Sequence, residues 1–297
     1  MSFQFQPTTD SFSLINAQQL ARSAQLVYSS GEEVEREVVR DWGFRDFEFF
    51  DVRGTQGMIA SNRDVVLVSF RGTEHDAFSD WMTDLNVELV PGPMKGYVHG
   101  GFYEALSHVW MRIDKTVKKF DRRQNKSLWV TGHSLGASLA TLSVARWLER
   151  GREVAGLYTF GQPRTGDNDF ARNFNFEFKT NAFRFVNNKD LVTRIPPRAF
   201  GYSHLGTFKY FTESGVLEDS IGWWNQFLDS WSFNVEDYFL SFDVGLEDHS
   251  MDMYQQLVTN VAKKARTPLA LHQNLDAFIY RSIQRIQNTV SVRRRTA

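Results

Sequence analysis

The chain has 297 residues, of which 42% are hydrophobic, and this is enough to bury the core of one large α/β domain. Its 34 basic and 35 acidic residues give a net charge of −1, so no overall positive field favours binding to nucleic acid or to an anionic membrane. The absence of cysteine excludes disulfide bonds, thiol catalysis and thiolate metal sites.

The N-terminal segment, residues 1–13, is polar and lacks the apolar stretch that a secretory signal requires. No segment approaches the roughly 18 consecutive apolar residues of a transmembrane helix, so we expect no integral membrane segment. The sequence leaves open whether the protein is cytoplasmic or is secreted without a visible N-terminal signal. It also leaves the oligomeric state open.

Hydrophobic periodicity predicts helices and strands that alternate along most of the chain. The predicted helices cover residues 14–27, 32–42, 102–120, 137–150, 254–262 and 271–286. The predicted strands cover residues 47–52, 57–61, 65–70, 127–131, 154–160, 181–186 and 207–211. This alternation is typical of an α/β fold with a mostly parallel central sheet flanked by helices, and we expect a single domain over residues 1–297.

The segment Gly-His-Ser-Leu-Gly at residues 132–136 joins a predicted strand to a predicted helix. In such a sharp turn the central serine projects above the end of the sheet, and glycines flank it because a larger side chain would clash. Ser134 is therefore the candidate nucleophile.

A serine nucleophile needs a histidine to accept its proton and a carboxylate to orient that histidine. Asp190 follows the predicted strand 181–186 and is the candidate acid. Its alternative role is that of an ordinary turn residue. Asp167 and Asp169 are weaker candidates, because both lie where they could cap a following helix.

Three histidines follow Asp190 in the chain: His204, His249 and His272. His204 comes soon after Asp190 with two prolines between them, and His272 lies within a predicted helix. His249 follows a predicted strand and a long insertion and lies in a loop directly before a helical pattern, and it is therefore the preferred candidate.

The oxyanion of an acyl-transfer intermediate needs two hydrogen-bond donors. The backbone N–H of Leu135, directly after the nucleophile, is the first candidate. Thr73, at the end of the predicted strand 65–70, is the second, because it offers both an N–H and a hydroxyl at a neighbouring strand end.

These motifs together resemble the class 3 (fungal-type) triacylglycerol lipase family, which has the α/β-hydrolase fold. The resemblance is carried by residues 68–73 with Trp81 and Asp84, and by residues 98–102, 130–137, 159–164 and 188–197. It implies Ser134, Asp190 and His249 as the catalytic triad and Thr73 and Leu135 as the oxyanion hole. It also implies that His204, in a Tyr-Ser-His segment after two prolines, is not the base.

The resemblance further implies a lid after the first oxyanion residue, here at residues 74–81. A second segment, residues 221–242, is rich in aromatic side chains and has an apolar face at helical spacing. It is either a cap that packs on the edge of the sheet or a surface that lines the acyl pocket or contacts a lipid–water interface.

The expected function is that of a serine carboxylic ester hydrolase acting on acylglycerols, which requires no metal or organic cofactor. Its expected partners are a lipid or other ester substrate and, transiently, a lipid–water interface, but no nucleic acid. Two alternatives stay open: a phospholipase A1 or feruloyl-type esterase on the same scaffold, and a non-catalytic lipid-binding or scaffolding protein.

Overall fold

The computed structural model describes residues 3–9, 11–73, 88–188, 190–219 and 248–266. Three predicted segments therefore lie outside the described residues: the lid at 74–81, the aromatic segment at 221–242 and the closing helix at 271–286. Met1–Val258 form one compact unit, and Thr259–Ala297 form a second. The single domain over residues 1–297 stays a prediction.

Strands and helices alternate along the described chain. The strands are β1 Asp46–Val52, β2 Thr55–Ser61, β3 Val65–Phe70, β4 Leu89–Pro91, β5 Tyr97–His99, β6 Ser127–His133, β7 Gly156–Phe160, β8 Gly166–Asp167, β9 Ala182–Asn187, β10 Tyr202–Ser203, β11 Thr207–Phe211 and β12 Leu217–Glu218. The helices are α1 Leu14–Leu26, α2 Gly31–Arg36, α3 Gly100–Phe120, α4 Leu135–Glu149, α5 Asn168–Phe178 and α6 Met251–Ala265. A π-helical turn, Glu37–Asp41, extends α2.

The main sheet has eight strands in the order β1-β2-β3-β6-β7-β9-β11-β12. Its central pairs, β3 with β6, β6 with β7, β7 with β9 and β9 with β11, are all parallel. The pairs at both edges are antiparallel. The predicted α/β-hydrolase fold with a mostly parallel sheet is thus confirmed, and the carboxyl ends of β3, β6, β7 and β9 meet at one edge of the sheet.

Helices cover both faces of this sheet. Residues of α3 and α4 share one hydrophobic cluster with alternate residues of β3 and β6, such as Val68 and Val130. Side chains point to opposite faces at successive strand positions, so the buried Trp129 faces the other side. There its indole N–H donates to the Pro7 carbonyl at 3.2 Å, and α1 packs on the same strands. No helix in the described part of the chain is long and apolar enough to span a bilayer.

A second, small sheet has the strand order β10-β8-β5-β4 and was not predicted. Its strands are two or three residues long, which is too short for a period-two pattern to emerge from the sequence. The turn before β5 packs closely against the start of α5, since a Cβ on Gly96 would lie 2.3 Å from the backbone nitrogen of Phe170.

Candidate active site

Ser134 occupies the sharp turn between β6 and α4. Its backbone has φ 56° and ψ −127°, a conformation that costs free energy in a residue with a side chain. The turn persists because its surroundings hold it: the Ser134 N–H donates to the Phe160 carbonyl at 3.0 Å. A Cβ on Gly132 would lie 2.3 Å from the Gly136 carbonyl oxygen, and one on Gly136 would lie 2.5 Å from the Phe70 carbonyl oxygen. The two flanking glycines are therefore required by close backbone approach.

The Ser134 side chain is buried, and its hydroxyl makes no hydrogen bond among the described residues. It lies at the N-terminus of α4, where the first backbone N–H groups have no acceptor within the helix. The N–H of Leu135 is the first of these groups. A negative charge that develops beside Ser134 would thus meet a positive helix end.

Asp190 and His249 are brought together at the same edge of the sheet. Asp190 lies just beyond the end of β9, and His249 directly precedes α6. His249 Nδ1 is 3.0 Å from Asp190 Oδ2 and 3.1 Å from Oδ1, and both side chains are almost fully buried. A carboxylate only accepts hydrogen bonds, so Nδ1 carries the proton and Nε2 can accept one in the neutral ring.

Two further donors hold the Asp190 carboxylate. The Val192 N–H donates to Oδ1 at 2.9 Å, and the Tyr254 hydroxyl donates to Oδ2 at 2.6 Å. Burial and the neighbouring negative charge of Asp190 raise the pKa of Tyr254 well above its ordinary value, so this phenol stays protonated and donates. Tyr254 was predicted only as the start of a helix. The only sequence feature that pointed to a role for Tyr254 in the site was its position on the helix that follows the candidate base.

Two asparagines at the end of β9 fix the loop that carries His249. Asn187 Nδ2 donates to the Asp248 carbonyl at 2.9 Å, and Asn188 Nδ2 donates to Asp248 Oδ2 at 3.2 Å. The Asn187 N–H also donates to the Tyr254 hydroxyl at 2.9 Å. Strand β9 thus positions both partners of the acid–histidine pair.

Gly161, which follows β7, makes room for that pair. Its φ is +58°, and its N–H donates to the Phe185 carbonyl at 3.1 Å. A Cβ at this position would lie 2.9 Å from the His249 ring and 3.0 Å from Asp190 Oδ2. Both the backbone conformation and the missing side chain are therefore needed where the acid meets the histidine.

Thr73 follows β3, and its neighbour Gly72 lies directly against the serine turn. A Cβ on Gly72 would be 2.6 Å from the His133 carbonyl oxygen and 3.0 Å from Ser134 Cβ. This contact brings the candidate oxyanion residue Thr73, which is partly exposed, to the strand end beside the candidate nucleophile.

A cavity of about 600 Å³ opens beside these residues, within the size range of small-molecule sites. Among the described residues its wall contains both the candidate oxyanion residue and the candidate base. It is lined by Arg22, Gln25, Leu26, Tyr28, Ser29, Glu37, Arg71, Thr73, His133, His249, Ser250, Met251, Asp252 and Gln255. Polar and apolar surface contribute about equally to this wall, so it can contact both polar and apolar parts of a substrate.

The rival candidates lie elsewhere. The Asp167 side chain accepts from the Phe170 N–H at 2.8 Å and caps α5, and Asp169 pairs with Arg172 at 3.0 Å. Burial and the nearby charges of Arg184, Arg164 and Arg198 hold the pKa of His204 well below its ordinary value. His272 lies outside the described residues.

Comparison with known proteins identifies a family that matches the central part of the chain. Residues 67–200 match the family described as Lipase (class 3). The chain is 33% identical over 171 residues to a lipase of Rhizomucor miehei, covering 54% of this chain and 46% of that protein. It is 35% identical over 162 residues to secreted mono- and diacylglycerol lipase 1 of Fusarium solani, covering 52% and 46%.

Among solved structures, the Rhizomucor miehei lipase–propeptide complex superposes with a TM-score of 0.54 at 26% identity, and the match covers 69% of each chain. The chain spans about half the length of these two curated relatives.

Proposed function

Because residues 67–200 match the class 3 lipase family, we propose that this chain is a serine carboxylic ester hydrolase that cleaves acylglycerol esters through an acyl-enzyme intermediate. One observation carries the proposal: the Asp190–His249 pair, with 3.0 Å between Oδ2 and Nδ1, lies at the same sheet edge as the strained Ser134 turn. A carboxylate, an imidazole and a serine are the three groups that acyl transfer by a serine hydrolase requires.

In the first half of the reaction, the Ser134 hydroxyl oxygen attacks the ester carbonyl carbon while His249 Nε2 accepts the hydroxyl proton. Asp190 stabilises the resulting imidazolium and keeps the ring in the orientation that its Nδ1–H bond defines. The C–O bond to the alcohol then breaks, and His249 returns the proton to the departing alkoxide. Ser134 is left as an ester of the fatty acid.

In the second half, a water molecule repeats the sequence on the acyl-enzyme and releases the fatty acid. In both halves the carbonyl oxygen becomes negatively charged at the tetrahedral stage. The backbone N–H of Leu135 and the N–H and hydroxyl of Thr73 are the donors assigned to that oxygen, and each such donor is worth on the order of 10² to 10³ in rate.

Acylglycerols are the preferred substrate class because the names of the relatives specify lipases that act on mono-, di- and triacylglycerols. The cavity wall beside Thr73 and His249 supports this choice, since its polar groups can contact the glycerol oxygens and its apolar surface can contact an acyl chain. Contact with a lipid–water interface during catalysis is part of the proposal. Phospholipase A1 and feruloyl esterase activities are less favoured, and they become outcomes of the test.

The test compares the wild-type protein with Ser134→Ala on p-nitrophenyl butyrate, p-nitrophenyl palmitate and an emulsified triacylglycerol. We expect wild-type hydrolysis of the long-chain ester and the emulsion, and a fall of several orders of magnitude in the variant. Activity on butyrate alone would indicate an esterase with a short acyl pocket. The absence of Ser134-dependent hydrolysis on these substrates, on phospholipid and on a feruloyl ester would favour the non-catalytic lipid-binding alternative.

A further inference from the structure

Behind the candidate site, two hydrogen bonds run from Tyr28 to the backbone of the candidate base, and Tyr28 also packs against the strand end that carries Thr73. Gly72, at the strand end that carries Thr73, packs closely against the Tyr28 hydroxyl. Tyr28 Oη lies 2.8 Å from His133 Nδ1, and His133 Nε2 lies 2.6 Å from the His249 carbonyl oxygen. None of these groups takes part in the proton transfers of the proposed reaction.

The chemistry of the donor and acceptor groups fixes the direction of both hydrogen bonds. A carbonyl oxygen only accepts, so His133 Nε2 carries a hydrogen and donates it to His249. Burial and the neighbouring His249 hold the pKa of His133 well below its ordinary value, so the ring is neutral and Nδ1 is an acceptor. The Tyr28 hydroxyl, whose pKa is raised by burial, is protonated and donates to Nδ1.

Packing leaves these groups little freedom. His133 is buried, and its ring lies 4.5 Å from the His249 ring, measured between centroids. A Cβ on Gly72 would lie only 2.4 Å from Tyr28 Oη, so the strand end rests directly on the phenol oxygen. A shift of the Tyr28 hydroxyl would therefore displace the strand end that carries Thr73. Through His133, it would also displace the backbone of the candidate base, His249.

We propose that Tyr28 and His133 are positioning residues that hold the backbone of His249 in register with the strand end that carries Thr73. This inference rests on the proposed function. It assigns a role to the histidine of the Gly-His-Ser-Leu-Gly turn, which sequence reasoning left unexplained, and to a tyrosine just beyond α1, which it did not single out. Displacements of about 1 Å in such supports can lower turnover by up to about 100-fold.

Four variants test the proposal. Tyr28→Phe removes the hydroxyl, and His133→Leu removes both ring nitrogens. His133→Gln keeps a donor and an acceptor at similar positions without a titrating group. Tyr158→Phe is the matched control, because it removes a tyrosine hydroxyl that is hydrogen-bonded away from the site, where it accepts the Ser13 N–H at 2.9 Å.

The readouts are kcat and KM on a soluble p-nitrophenyl ester, normalised to the active sites titrated by a fluorophosphonate, together with the melting temperature. We expect Tyr28→Phe and His133→Leu to lower kcat roughly 10- to 100-fold with KM nearly unchanged. His133→Gln should recover most of that loss, and Tyr158→Phe should retain wild-type kcat even where its melting temperature falls.

Unchanged kcat in Tyr28→Phe and His133→Leu, with Ser134-dependent wild-type activity intact, would overturn this inference and leave the proposed function standing. Equal losses in His133→Gln and His133→Leu would also overturn it, because hydrogen bonding would then be irrelevant. A readout that needs no activity completes the test: ¹⁵N NMR should show His133 as the neutral Nε2–H tautomer from pH 5 to 8. A neutral Nδ1–H tautomer, or a protonated ring, would contradict the inference even for an inactive protein.

Discussion

The Tyr254 hydroxyl lies 2.6 Å from Asp190 Oδ2 and donates its proton to that carboxylate, while also accepting the Asn187 N–H at 2.9 Å. The phenol therefore bridges the end of β9 and the helix that follows His249. Hydrogen bonds to a charged group are stronger than those between neutral groups, which makes this contact a principal constraint on the orientation of Asp190.

Substituting Tyr254 by phenylalanine tests that constraint. The variant leaves one oxygen of a buried carboxylate with one donor fewer, a loss worth about 1.5 to 3 kcal/mol. We expect Tyr254→Phe to lower kcat about tenfold, because Asp190 gains freedom to turn away from His249. Steady-state kinetics on a soluble ester, with active sites titrated, measures this. Wild-type kcat in a variant of reduced melting temperature would show that the phenol serves folding alone.

Gly161→Ala should abolish most activity through steric displacement. The added Cβ would lie 2.9 Å from the His249 ring, so the ring or the β7 turn must move. The matched control is Gly151→Ala, since Gly151 also has a positive φ, of +71°, but has open space around its Cβ position. Both variants bear a similar backbone penalty of about 1 to 2 kcal/mol. We expect kcat to fall at least 100-fold in Gly161→Ala alone, and equal kcat values would refute the steric argument.

Much of the main sheet could be predicted because its strands are long and apolar. The predicted strand 65–70 coincides with β3, and the predicted strand 207–211 coincides with β11. The predicted strand 127–131 ends too early, because the observed strand β6 extends to His133. Glycine in the serine turn suggested a break, yet Gly132 remains paired with Thr159 in the sheet. Strand pairing across the sheet overrode local propensity at this point.

The candidate site was predictable where a residue's chemistry is tied to a strand end, as for Ser134, Asp190 and Thr73. The supporting groups were not predictable in the same way. Tyr28 is 105 residues from His133 in the chain, and no periodicity links a tyrosine after one helix to a histidine before another. Such contacts depend on how helices pack over the sheet, which a single sequence does not specify.

The two described histidines downstream of Asp190 should behave differently on substitution. His249→Ala removes the group bonded to Asp190, and we expect ester hydrolysis to fall by several orders of magnitude with the fold retained. His204→Ala should keep kcat within a few-fold of wild type, because burial and the nearby charges of Arg164, Arg184 and Arg198 hold the pKa of His204 well below its ordinary value and so disfavour its protonation. Single-turnover acylation with a chromogenic ester measures both. An inactive His204→Ala beside an active His249→Ala would reverse the assignment of the base.

Thr73 can be dissected by a pair of substitutions that differ in one group. Thr73→Val removes the hydroxyl and keeps the shape and the backbone N–H, whereas Thr73→Ser keeps the hydroxyl. If the hydroxyl is an oxyanion donor, kcat should fall by up to about 100-fold in Thr73→Val and stay within a few-fold in Thr73→Ser. Both losses should be smaller than that of His249→Ala, because the Leu135 N–H still acts. Equal kcat values in Thr73→Val and Thr73→Ser would limit the role of Thr73 to its backbone.

The stability of the protein should fall on acidification, and His99 is one identifiable cause. His99 is the N-cap of α3, where its Nδ1 accepts the Phe102 N–H at 3.3 Å and its ring stacks on Phe102. Burial lowers the pKa of His99 from 6.5 to about 4. Between these two pH values the unfolded chain binds a proton that the folded chain does not, so stability is fully present above pH 6.5 and declines towards pH 4.

For one such proton the free energy of unfolding changes by up to about 1.4 kcal/mol per pH unit. His99→Asn keeps a good N-cap acceptor that does not titrate, although it loses the ring stacking. We therefore expect the variant to be less stable at pH 8 but to lose stability more slowly than wild type between pH 6.5 and 4. Urea unfolding at closely spaced pH values measures how steeply the free energy of unfolding depends on pH in each protein. Equal slopes in the two proteins would mean that the buried imidazole of His99 is not among the groups that destabilise the fold in acid.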